Sequence, residues 1–119
     1  MLRIAQRDLK AARALLDPGI DEASWGFQVQ QAVEKSLKGW LLHLGDDPPL
    51  IHNIKALLQR LEAAGAGVAD FRNLEPFTSF AVQFRYDADP EPMGLDRDDW
   101  LRRAEGLIDH VALIIWVKV

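Results

Sequence analysis

A chain of 119 residues, 49% hydrophobic and 27% charged, is expected to form one domain over residues 1–119 and to bury enough apolar surface to fold alone. Fourteen basic against eighteen acidic side chains give a net charge of −4, which excludes a broadly basic nucleic-acid surface and predicts no DNA partner. With no cysteine in the chain, disulfides, thiol catalysis and thiolate-held metals are also excluded.

The longest strictly apolar run covers residues 111–117, far short of the roughly 20 residues that span a bilayer. The N-terminus carries repeated charges through Arg13 and lacks the apolar centre of an export signal. The expectation is a soluble, cytoplasmic protein with no membrane partner.

The first element is a helix. Leu2, Ala5, Leu9, Ala12 and Leu16 recur at alternating steps of three and four, with Arg3, Arg7 and Lys10 on the other side. Asp17-Pro18-Gly19 stops it. A second, longer helix follows, with Asp21 as its N-cap and Glu22 near its positive end. Its predicted buried face is Ala23, Gly26, Gln30, Val33, Leu37, Trp40 and Leu44, with Gln30 the one polar interruption. Gln28, Gln31, Lys35 and Lys38 form the opposite stripe, and Glu34 stands four residues before Lys38, the spacing of a surface ion pair. Gly45 is the expected terminator, followed by Asp46-Asp47-Pro48-Pro49.

A third helix is predicted from 51 or 52 to 64, burying Ile51, Ile54, Leu58 and Leu61, with His52 as its cap. Phe71, Leu74, Phe77, Ala81 and Phe84 continue the helical spacing, divided by Pro76. A proline suits a first turn, so a short piece and then a helix over about 75–85 are expected. Residues 87–93 read as a loop. The last helix starts near Asp96, with Asp98 and Asp99 in its first turn. Trp100, Ala104, Leu107, Val111 and Ile114 form one apolar row, and Leu101, Ile108 and Ile115 the next. Its end, 111–117, is apolar on all sides and calls for cover all round. A second subunit supplies that cover most simply, so a homodimer is expected. No segment alternates with period two. The fold class is therefore all-α, an up-and-down four-helix bundle with an extra short helix.

Chemistry is constrained first by absences. The glycines form no phosphate loop, and the residues three before His43, His52 and His110 are Trp40, Pro49 and Leu107, so the Glu-x-x-His metal signature of bundles is missing. No metal and no cofactor is expected. Asp87, Asp89, Glu91, Asp96, Asp98 and Asp99 cluster, but without the order of a calcium loop. They read as a solvated loop and a capped helix start. Arg103 and His110 fall on one helix face, two turns or about 10.5 Å apart. An arginine that holds phosphate and a histidine that acts as base suit RNA cleavage; a plain surface stripe running Asp99, Arg103, Gly106, His110 suits the same spacing. Gln31, Lys35 and Lys38, with Glu34 beside them, would make a small cationic pocket if Arg85 and Tyr86 folded next to them. Such a pocket suits a nucleotide or other phosphorylated group, and a salt-bridged surface or a protein contact is the alternative.

The segment Gln31-Ala32-Val33-Glu34-Lys35-Ser36-Leu37-Lys38, then His52 opening the next helix, then Arg85-Tyr86 before the last helix, with Asp8-Leu9 and Ala12 in the first, resembles the HEPN domain family. The resemblance spans nearly the whole chain. It implies a four- or five-helix bundle, commonly dimeric. Such proteins are often encoded beside a minimal nucleotidyltransferase, and some such pairs act as toxin–antitoxin systems. Many relatives are RNases with an arginine and a histidine separated by four to six intervening residues, assembled at a dimer interface, a spacing that Arg103 and His110 fit although they lie later, in the last helix. This sequence is similar to the other branch, which carries Arg-Tyr-Pro; here the tripeptide is Arg85-Tyr86-Asp87, and no histidine follows at the RNase spacing. Ala104 follows Arg103, where RNase members usually show a polar residue.

The expected function is thus a non-catalytic binding module that partners a minimal nucleotidyltransferase, with nucleotide or RNA as ligand and Gln31, Glu34, Lys35, Lys38, Arg85 and Tyr86 as binding residues. One alternative is a metal-independent endoribonuclease toxin using Arg103 and His110. The other is a purely structural dimerisation module.

Overall fold

Local sequence sets each helix and its ends. The computed structural model describes residues 1–86 and 91–116, and of residues 83–85 the backbone alone. Helix α1 spans Leu2–Ala14, α2 Glu22–His43 and α3 Ile54–Ala63. A 3-10 segment covers Ala69–Phe77, α4 covers Thr78–Tyr86 and α5 Arg97–Trp116. There is no strand among the described residues, so the all-α bundle expected from the periodicity is the fold. None of these helices is long and apolar enough to cross a membrane.

The caps follow the sequence at most ends. Asp21 accepts the Ser24 amide at 3.0 Å and closes the start of α2. Asp96 does the same for the Asp99 amide at 3.1 Å, ahead of α5. Gly45 takes φ +83° past the end of α2, where its amide bonds the Leu42 carbonyl and that of Asp46 bonds Leu41. This paired 6→1 and 5→2 closure needs a left-handed residue, which glycine supplies without strain.

Three local expectations are corrected. The third helix begins at Ile54, because Asn53 rather than His52 is its cap and accepts the Ala56 amide at 3.2 Å. Ile51 and Leu44, expected in the core, are exposed. The helix expected over 75–85 begins only at Thr78, and the nine residues before it, Pro76 included, wind as 3-10. Proline has no amide to give and restricts the residue before it, which holds the α-helix back.

The core draws on every helix, and α2 lies at its centre, packed against α1, α3, α4, α5 and the 3-10 segment. Trp25 packs edge-on against Phe77 and Phe80, with ring centroids 5.7 and 6.3 Å away. Gly26 makes this approach possible, since a methyl group there would overlap the Phe80 ring. The sequence assigns all-round burial to the end of α5, whereas the helix buried all round is α2. Leu113 and Trp116 on α5 remain 64% and 51% exposed. Val117, the last residue of that apolar run, lies outside the described residues.

Two polar clamps fix the ends of the bundle. Arg97, at the start of α5, donates to the carbonyls of Leu15, Asp17 and Ile20 at 2.7–3.0 Å, satisfying the turn between α1 and α2. Glu22 accepts the amides of Met93 and Leu95 at 2.7 and 3.1 Å, holding the segment before α5 against the start of α2.

Candidate functional site

The polar residues of α2 form one connected network. Lys35 Nζ reaches Asp8 of α1 at 3.3 Å and donates to Gln31 Oε1 at 3.0 Å. Gln31 donates to Gln30 at 2.7 Å, and Gln30 donates to Glu34 at 3.1 Å. Glu34 Oε1 also accepts from His52 Nδ1 at 2.7 Å, while its Oε2 lies 3.5 Å from Lys38 Nζ. At the other end Arg7 lies 3.3 Å from the second Asp8 oxygen. The chain of bonds therefore runs from Arg7 through Asp8, Lys35, Gln31, Gln30 and Glu34 to Lys38 and His52.

This corrects one sequence expectation and bears out another. Glu34 and Lys38 pair at the expected four-residue spacing, but inside the protein, with side chains only 2% and 9% exposed. Gln30, the one polar residue expected on the buried face, is indeed fully buried, and it is bonded on both sides by Gln31 and Glu34. The helix turns these residues toward α1 on one flank and toward the segment before α3 on the other. Burial is tolerated because every charge and amide meets a partner.

His52 enters this network although the sequence gives it a capping role. The connection that carries it is held at both ends. Arg60 of α3 grips Asp46 with two bonds, of 2.8 and 2.9 Å, and Ile54 donates its amide to Thr78 of α4 at 3.0 Å. The Arg60 guanidinium holds the Asp46 carboxyl below its ordinary range, and Asp46 raises Arg60 in return.

The other sequence candidates lie elsewhere. Tyr86 ends α4 with a ring 81% exposed, facing solvent rather than packing on the α2 network. The Arg85 side chain lies outside the described residues, as do Asp87 and Asp89 of the acidic segment. No group of acidic or histidine residues able to hold a metal occurs among the described residues. Asp96 is a cap and Asp99 an ion-pair partner, as the capped helix start expected there requires.

Arg103 and His110 share α5 but have separate partners. The Arg103 guanidinium meets Asp99 at 2.9 Å and lies over the Trp100 ring at 4.4 Å. The His110 ring packs 5.3 Å from Trp40 and 5.2 Å from Phe71. The partners of Arg103 lie on α5 itself and those of His110 on α2 and the 3-10 segment, and both residues are exposed.

A family model described as the HEPN domain matches residues 1–114. No curated protein matches the chain, and no solved structure does.

Proposed function

The chain belongs to the HEPN domain family, and from that premise we propose that it is a non-catalytic binding module that partners a minimal nucleotidyltransferase and takes nucleotide on the polar face of α2. The observation that carries this reading is the network from Asp8 to His52. A buried ion pair adds little net stability beyond what apolar packing of the same volume supplies. Such a network on the central helix of a small bundle fits a surface held in shape for recognition. The alanine after Arg103 and the lack of a histidine at the RNase spacing after Arg85 support the non-catalytic form over the RNase form.

A purely structural dimer module is the second reading, and it draws on the pairing of Lys35 and Lys38 with Asp8 and Glu34. Paired lysines offer an incoming phosphate less free charge than the sequence leads one to expect. Calorimetry with ATP, together with copurification alongside a minimal nucleotidyltransferase, separates the two. The binding reading expects ATP binding with a 1:1 stoichiometry per chain, and copurification. A protein that binds neither belongs to the structural reading. Cleavage of RNA by the wild-type chain that is lost in His110→Ala would establish the RNase instead.

A further inference from the structure

Along the α2 network nearly every hydrogen-bonding group is committed inside the protein. Gln30 and Gln31 each donate and accept within it, Lys35 is shared by Asp8 and Gln31, and both Glu34 oxygens are taken. The network meets solvent chiefly at the exposed guanidinium of Arg7 and at the imidazole of His52, whose side chain is 51% exposed, with Lys35 partly open at 23%. Among the described residues the Nδ1 of His52 has a partner and the Nε2 has none.

We infer that the Nε2 edge of His52 is the ligand-contacting group of this face, and that it accepts a hydrogen bond from a hydroxyl or amino group such as a nucleotide presents on its sugar or base. This rests on the nucleotide reading above and names the residue that performs the recognition. A carboxylate offers only lone pairs, so in the 2.7 Å contact Nδ1 must carry the proton. In the neutral ring, the form this inference requires, a proton on Nδ1 leaves the lone pair at Nε2. Glu34 therefore sets the tautomer as well as the ring orientation, as a carboxylate does for the histidine it supports at many functional sites.

Both ends of this arrangement are held. Glu34 is fixed by Gln30 and Lys38 as well as by His52. The backbone after His52 is fixed by the Asn53 cap and by the bond from Ile54 to Thr78. An acceptor already oriented in the free protein loses little freedom when a ligand arrives, which favours affinity. The lysines that the sequence singles out then act as supports: Lys38 anchors Glu34, and Lys35 ties α2 to α1.

Two measurements on the full chain test this. Long-range proton–nitrogen NMR spectra report which His52 nitrogen carries the proton, and calorimetry reports ATP affinity. The expected result is a proton on Nδ1 in the free protein and an Nε2 resonance that moves on adding ATP. His52→Asn places an amide nitrogen where Nδ1 stood and nothing where Nε2 stood. It should keep the melting temperature and weaken ATP binding at least tenfold. His52→Gln, which reaches the Nε2 position without the Glu34 contact, should retain more ATP affinity than the asparagine variant. Equal affinity of His52→Asn and wild type overturns the inference while the nucleotide reading stands. A proton on Nε2 in the free protein also overturns it alone. Absence of ATP binding by the wild type overturns the nucleotide reading, and this inference with it.

Discussion

Two glycines inside helices mean opposite things. Gly26 lies under the Phe80 ring, where an added methyl would collide with the aromatic cluster of Trp25, Phe77 and Phe80. Gly106 of α5 faces open space, with nothing within 4 Å of an added methyl. Gly26→Ala should therefore destabilise the protein by about 1–3 kcal/mol through overpacking, and Gly106→Ala should stabilise it by about 0.5–1 kcal/mol through helix propensity. Urea unfolding midpoints check both, and a neutral Gly26→Ala would mean that Phe80 repacks freely. The sequence places Gly26 on the buried face of its helix, but that a ring crosses at that point is a fact of tertiary contact. His52 shows the same limit. Its place ahead of a helix reads as a cap, while its actual partner, Glu34, lies 18 residues back and is reached only by folding.

Helix limits were legible where a side chain speaks to its own backbone. Asp21, Asp96 and Gly45 each act within three or four residues, and each does what its type predicts. The hydrogen bonds from Ser24, side chain first and then backbone, lower the Asp21 carboxyl below its ordinary value. A carboxyl lowered in the folded state binds fewer protons there than in the unfolded chain. Its contribution is complete above the unfolded value and is lost as pH falls through the folded one. Unfolding midpoints between pH 6 and pH 2 should therefore fall more steeply for wild type than for Asp21→Asn, whose capping amide does not titrate in that range. Parallel curves would deny Asp21 this role. The start of α4 was less legible. Pro76 is favourable at a first helical turn, yet here it sits in the 3-10 segment, and the α-helix begins only at Thr78.

At the scale of the molecule, the expectation of an all-round apolar α5 end meets a surface that is open in the single chain. Leu113 and Trp116 share an open face of α5 with Asp109 and Ala112. Trp116 also borders a hollow of about 460 Å³ with Met1, Leu2, Arg3, Gly39, Leu42, His43 and Ile115. Exposed apolar groups gathered at one end are what a dimer contact would cover, with Asp109 and Arg3 standing near them. Light scattering should give twice the chain mass for wild type and the single mass for Trp116→Glu. A wild type that stays monomeric at millimolar concentration would reject this surface.

The charge with which the sequence opens is also redistributed at this scale. Residues 1–44 hold six basic and five acidic side chains, and 85–119 hold five and eight. The basic side chains of α2 nevertheless do not form an open patch, since Lys35 and Lys38 are spent on Asp8 and Glu34. By itself the sequence determined the helical class, most helix ends, the apolar faces and the exclusion of thiol chemistry, because periodicity, capping and composition act over a few residues. Tertiary structure alone decided which helix is central and which polar residues lie inside. It also decided that His52 stands at the exposed end of the α2 network. Those outcomes depend on partners distant in the chain, and a buried polar residue looks like a surface one until its partner is known.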